Sequence, residues 1–388
     1  MFARLEIDFL ENQKQASVGD VALEVRNLKL VFRTYAGQVK ALDGIDFTVR
    51  KGHILGLVGE SGCGKSVTAL AIAGLLPESA QVLEGEILLN GEDLLKKDKE
   101  SLRIARLTDI AFVFQDPMTY LNPVYTIGAQ ITEIFTGDLN VFKNELIDSR
   151  LGEVASLQSK TTNPDELAKL SSESKRLEEE KRAGKLSRNE GKRLAKCRAL
   201  QFLSLVKLPE AERVYKMYPF ELSGGMRQRA MIAMALVRSP KVLLADEITT
   251  ALDVTVQAQI LELLNELRNK IQAAVIIITH DLGVVAQTCD MVAVMYAGNI
   301  VEVAPVDEIF RNPLHPYTKG LLAAVPRISK AGGNLESIKG SVPDLIYPPS
   351  GCRFHPRCPV ALERCPRVKP PIVEPSPGHK VECLLYGG

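Results

Sequence analysis

One short segment limits the folds open to this chain more than any other feature: Gly59-Glu-Ser-Gly-Cys-Gly64-Lys65-Ser66 matches G-x-x-x-x-G-K-[ST]. It stands between an apolar run, HILGLVG, and SVTALAIAGLLP, whose apolar residues keep helical spacing up to Pro77. Strand, glycine-rich turn and helix, in that order, make a phosphate-binding unit. The glycines let backbone N–H groups converge on phosphate oxygens, and the helix that follows adds its positive N-terminal dipole. Gly59, Ser61, Gly62, Cys63, Gly64 and Val67 form that cradle, with Cys63 contributing its backbone rather than a thiol. Lys65 is placed to reach the β- and γ-phosphates, and the Ser66 hydroxyl to hold Mg²⁺.

The rest of the pattern agrees with such a unit. From Ala22 to Val58 short apolar alternations recur, in LEVRNLKLVF, VKALDGIDFTV and HILGLVG, and predict strands of a sheet that begins antiparallel. VLLAD at 242–246 and AVIIITH at 274–280 are continuously apolar, as central parallel strands are. The first ends in two adjacent acids. With a phosphate-binding turn present, Asp246 is expected to hold Mg²⁺ and Glu247 to polarise an attacking water as general base.

Length and composition set the frame. At 388 residues, a main domain plus an appendage is expected, and 46% hydrophobic with 24% charged residues leaves enough apolar surface for a substantial core. Lys plus Arg number 48 against 47 Asp plus Glu, so no overall electrostatic attraction to nucleic acid is expected. No apolar run approaches the roughly 20 residues that cross a bilayer. The N-terminal MFARLEIDFLENQKQ lacks the features of a secretory leader, so a cytosolic location is expected. Between Asp138 and Lys207 the composition turns charged and helix-favouring, which reads as an inserted helical excursion, a solvated hairpin or a partly disordered arm. Past Pro305 prolines recur and periodicity fades, predicting a boundary near 310.

Further motifs carry a resemblance. Leu222-Ser223-Gly224-Gly225-Met226, shortly before the acid pair, resembles the signature motif of ABC ATPases, although Met226 stands where Gln is usual. The family pattern continues in order. Gln115 in FVFQDP resembles the glutamine that senses Mg²⁺ and the attacking water, and Thr250-Ala251-Leu252-Asp253 resembles the D-loop, with Thr250 where Ser is commoner. His280 resembles the switch histidine that contacts the γ-phosphate; a lone histidine at a strand end is otherwise a structural residue. Tyr35, with Phe32 as the alternative, takes the place of the aromatic that stacks on adenine. The resemblance implies an α/β P-loop NTPase of the ABC type: a mixed sheet core, a helical subdomain, an antiparallel β subdomain, and a small, irregular Cys-rich C-terminal extension. The expected division is 1–20, 21–310 with the 138–207 insertion, and 311–388.

The C-terminal part narrows the branch. Asn312-Pro-Leu-His315-Pro316-Tyr317-Thr-Lys-Gly-Leu-Leu is similar to the extension of the oligopeptide and dipeptide branch of ABC importers. That branch implies ATP and Mg²⁺ as ligands, with Ser223, Gly224 and Gly225 completing the ATP site of an opposite subunit. It also implies a paralogous ATPase partner, two membrane permeases and an extracytoplasmic substrate-binding protein, with the chain peripheral on the cytoplasmic face of the membrane. Peptides are the default cargo; oligosaccharides and nickel remain alternatives, and a soluble ABC ATPase acting on nucleic acid or ribosomes is the rival class. Four of seven cysteines, Cys352, Cys358, Cys365 and Cys383, crowd the C-terminus at spacings looser than ordinary zinc modules. By resemblance to some members of the branch they are expected to hold a [4Fe–4S] cluster, with zinc, a disulfide or no metal as alternatives and His355 and His379 as bystanders.

Overall fold

The alternation of residues 21–50 is realised as a long hairpin: β1 (Val21–Thr34) and β2 (Gly37–Arg50) pair antiparallel from Val21↔Arg50 to Thr34↔Gly37. The computed structural model describes residues 21–114, 117–184, 186–248, 253–324 and 338–387. By its contacts the chain divides into two compact units, one of residues 19–112, 241–247 and 272–388, the other including 113–240 and 248–271.

The first unit holds both sheets. After β3 (Ile54–Val58), β4 (Ala80–Leu89) and β5 (Glu92–Asp93) complete a four-stranded antiparallel sheet in the order β2-β1-β4-β5. The remaining strands are β6 (Ile110–Val113), β7 (Val242–Asp246), β8 (Ala274–Thr279), β9 (Met291–Tyr296), β10 (Asn299–Pro305), β11 (Ile372–Ser376) and β12 (His379–Glu382). With β3 they form an eight-stranded sheet in the order β11-β12-β10-β9-β3-β8-β7-β6. β3 pairs parallel with β8 and with β9, and β7 pairs parallel with β8.

All residues of β3 and β8 are buried, which is why neither run alternates: a strand covered on both faces has no solvent side on which to place polar residues. Leu23, Leu30 and Ile45 of the antiparallel sheet share one apolar core with Leu55, Leu57, Leu244 and Ile276 of the central sheet. Each such side chain contributes about 1.5–3 kcal/mol by leaving water. The C-terminal strands join the central sheet directly, since β12 pairs antiparallel with β10 through Glu302↔Val381 and Val303↔Lys380.

The second unit is helical. Residues 138–207 form three helices, Leu139–Lys160, Pro164–Ala183 and Arg188–Leu205. Their charge is arranged: Glu173 accepts from Arg150 (3.0 Å) and Arg193 (2.9 Å), and Arg193 also pairs with Glu190 (2.7 Å). Beneath that network Phe142, Leu146, Leu177 and Leu194 are buried, and Phe142 meets Phe135 edge-on at 5.3 Å. Among the described residues no helix is long and apolar enough to cross a membrane.

Candidate active site

Parallel register places the candidate chemistry in one row. Val58 of β3 lies beside Thr279 of β8, and Ile278 beside Asp246 of β7. The next residues along these strands are Gly59, His280 and Glu247, so three distant sequence positions leave the carboxyl edge of the sheet together. Carboxyl ends of parallel strands are where open α/β sheets bind ligands.

The glycine-rich turn fits only as glycine where it matters most. Gly59 has φ +154°, and a Cβ there would stand 2.1 Å from the carbonyl oxygen of Met295. Helix Lys65–Ile72 begins after Gly64, itself at φ 113°; it ends with Ala73 as cap, short of Pro77, because Gly74 follows at φ 64°. The Lys65 ammonium donates to the carbonyls of Gly59 (2.7 Å) and Glu60 (2.9 Å). Ser61, Gly62 and Ser66 are exposed, whereas Cys63 is buried and burial raises its thiol pKa, consistent with a backbone contribution only.

Burial lifts the Asp246 carboxyl above the ordinary aspartate range; a hydrogen bond from Ser66 and the charge of Lys65 oppose the rise, and Glu247 adds to it. A Ser hydroxyl hydrogen-bonded to a carboxylate is a pair of hard oxygen donors, and this pair fits Mg²⁺. Glu247 follows with φ 48°, a left-handed backbone rare for a residue with a side chain. Its N–H donates to Ile278 O (2.9 Å), which ties the turn to β8, and its Oε1 lies 3.2 Å from Nδ1 of His280. Strain of this kind, held by neighbouring structure, gathers at functional sites.

In the helical unit Ser223 caps helix Gly224–Leu236, its hydroxyl accepting from Met226 N at 3.4 Å, so the exposed helix start presents Ser223 and Gly224. A Cβ on Gly225 would meet Val256 at 2.7 Å, which explains that glycine by close helix approach. Asp253 caps the helix it precedes, accepting from Val256 N at 2.9 Å. Tyr35 sits fully exposed in the β1–β2 turn, while Phe32 is partly buried against the core. Gln115 and Thr250 to Leu252 lie outside the described residues.

These observations meet a match in sequence. The profile described as ABC transporter matches residues 42–250, and that of the oligopeptide/dipeptide transporter C-terminal region matches 301–365. The chain belongs to the ABC transporter family. Among its curated relatives are the dipeptide transport ATP-binding protein DppD of Bacillus subtilis, 44% identical over 94% of this chain and 94% of that protein, and the oligopeptide transport ATP-binding protein OppD of Salmonella typhimurium, 43% identical over 94% of each. This ABC chain has the fold of solved cassettes. The post-hydrolysis ATP-binding cassette MJ0796 bound to ADP and Pi matches with a TM-score of 0.53 at 23% identity, covering 73% of this chain and 98% of that one. The cassette cbiO1 of Clostridium perfringens matches with a TM-score of 0.53 at 24% identity, covering 76% and 92%.

One expectation is corrected. Among the described residues no group of three or more His, Cys, Asp or Glu is disposed to hold a metal ion, and the curated relatives are described as transport ATP-binding proteins, not as iron–sulfur proteins. Cys352, Cys358, Cys365 and Cys383 are therefore not assigned a [4Fe–4S] cluster. Burial pushes the Cys352 thiol up to about 12 and raises Cys358 and Cys383, and Cys365 Sγ accepts a hydrogen bond from Leu362 N at 3.3 Å. Cys352 N donates to Cys365 O at 2.8 Å, a main-chain contact that ties the two ends of the loop together.

Sequence reasoning also passed over Glu60 and Arg357. Glu60 occupies a variable position of the motif, and Arg357 stands almost 300 residues away, so no local pattern joins them.

Proposed function

We propose that this chain is the ATP-hydrolysing subunit of an importer for oligopeptides or dipeptides. The observation that carries the reading is the row at the edge of the central sheet, where Lys65, the Ser66–Asp246 pair and the Glu247–His280 pair converge. Lys65, whose donors turn to loop carbonyls, offers the same donors to phosphate oxygens. Glu247, facing His280, is the base for the attacking water; His280 orients that carboxylate and reaches towards the γ-phosphate. A bound Mg²⁺ supplies charge neutralisation on the phosphates. Ser66 and Asp246 would hold it, with Gln115 as a further contact. Tyr35 is free of packing partners that would hinder stacking on a base, which supports its assignment to adenine.

Ser223, Gly224 and Gly225 complete the site of a second ATPase subunit, a paralogue in this branch. Nucleotide then favours the closed pair, and loss of the γ-phosphate contacts reopens it. Two permeases and a substrate-binding protein complete the assembly, with the chain on the cytoplasmic side of the membrane. The test is Glu247→Gln. Turnover should fall by roughly two orders of magnitude, the scale of a lost general base, while MgATP still binds. Turnover at the parent rate would remove Glu247 from its role.

A further inference from the structure

We propose that Arg357 and Tyr317, both in the C-terminal region, are positioning residues for the phosphate-binding turn and act on it through Glu60. The proposal rests on the reading of that turn as the nucleotide site.

Every polar group of Glu60 is engaged. Its carbonyl accepts from the Lys65 ammonium at 2.9 Å. Its N–H donates to the Tyr317 hydroxyl at 2.9 Å. Its carboxylate takes the Arg357 guanidinium in a two-pronged contact, Nη1–Oε2 at 2.7 Å and Nη2–Oε1 at 3.0 Å. Bidentate contacts fix orientation as well as distance. Beside the turn's own Cys63 N–H, 3.4 Å from the Glu60 carbonyl, this one residue of the turn is held by two handles from the C-terminal region and by the lysine that is to hold phosphate.

Both handles are rigid. The Arg357 side chain is only 6% exposed, and its fork is held from behind by the carbonyls of Lys339 (2.9 Å) and Gly340 (3.2 Å) and by the face of Tyr296, 5.7 Å from ring centre to guanidinium carbon. Tyr317 is fully buried, its ring packed against Tyr296 at 4.7 Å and Phe354 at 5.4 Å. The helix carrying it, Pro316–Ala323, starts from His315, whose Nδ1 accepts from Tyr317 N at 3.0 Å, and Glu302 of β10 accepts from the N–H groups of Leu314 (2.7 Å) and His315 (2.9 Å). The clamp is therefore anchored in the same sheet that ends in the turn, which makes it a fixed support. Without it the Glu60 peptide can rotate, the Lys65 contact loosens, and the amides of the turn no longer converge before ligand arrives. Preorganisation lost in this way lowers affinity. It leaves Glu247 and His280 untouched.

The test uses the full chain titrated with MgATP by calorimetry, alongside steady-state hydrolysis. Glu60→Gln keeps shape and removes the ion pair; Arg357→Lys keeps charge and removes the fork. Each should raise the Kd and KM for ATP about tenfold, the scale of a charged hydrogen bond, with kcat little changed. The double variant should bind no worse than the weaker single, as coupled partners do. Tyr317→Phe should weaken binding severalfold. Lys65→Ala is the control on the underlying reading. If it loses ATP while Glu60→Gln and Arg357→Lys bind like the parent, or if those two add independently, the clamp is refuted. If Lys65→Ala itself binds like the parent, the nucleotide-site reading falls and takes this proposal with it.

Discussion

The left-handed backbone of Glu247 can be weighed by comparing two replacements. A side-chain-bearing residue at φ 48° costs about 1–2 kcal/mol relative to ordinary backbone. Glu247→Ala and Glu247→Gly both remove the carboxylate, the contact to His280 and the aliphatic stem, so these losses cancel between them. What remains is the strain, which alanine keeps and glycine relieves. Glycine returns roughly 0.5–1 kcal/mol through the greater freedom of its unfolded chain. The net expectation is that Glu247→Gly is about 0.5–1 kcal/mol more stable than Glu247→Ala, the opposite of what a glycine does within a helix or strand. In a chain of this size that separates the melting midpoints by about 1–3 °C. Thermal denaturation of both purified variants without nucleotide, under identical conditions, reads the difference, and ATP hydrolysis should be lost in both. If the glycine variant melts at or below the alanine variant, no strain is stored at this position and the active turn is not held against its local preference.

Two further outcomes follow from buried groups. Burial pushes the Glu382 carboxyl up to about 7, so its protonated form is favoured in the folded chain. The stability this gives is present below the ordinary carboxyl range and is lost as pH climbs through about 7; Glu382→Gln should flatten that decline, by on the order of 2 kcal/mol between pH 5 and 8 in urea unfolding, and an unchanged profile would refute the assignment. With burial holding the Cys352 thiol near 12, iodoacetamide at pH 8 should leave it largely unlabelled in the native chain and label it readily after denaturation. Mass spectrometry of the labelled peptide checks this, and rapid native labelling would show an accessible thiolate.

How much was legible depended on how local each feature is. The turn Gly59–Ser66 and the acid pair Asp246–Glu247 were readable because their chemistry requires adjacent residues, and β3, β7 and β8 because strands covered on both faces must be apolar throughout. Residues 138–207 read as charged because most of their side chains meet water. Leu146, Leu177 and Leu194, buried beneath the Glu173 network, were too sparse to stand out. The thiols were misread for a different reason. Resemblance and crowding along the chain suggested a shared metal, whereas ligation needs side chains disposed around one point in space, which no spacing reports.

By itself the amino-acid sequence determined that this chain carries a glycine-lined turn of the phosphate-binding pattern and acids at the end of a buried strand, since backbone approach and strand burial leave direct marks on residue type. Only the tertiary structure decided that Glu247 faces His280, through the parallel register of β7 and β8, and that Glu60 is held by Arg357 and Tyr317. Those contacts join residues 33 to 297 positions apart, and at such separations the pairing is chosen by how sheets and helices close over a common core, not by any preference a short stretch of chain can express.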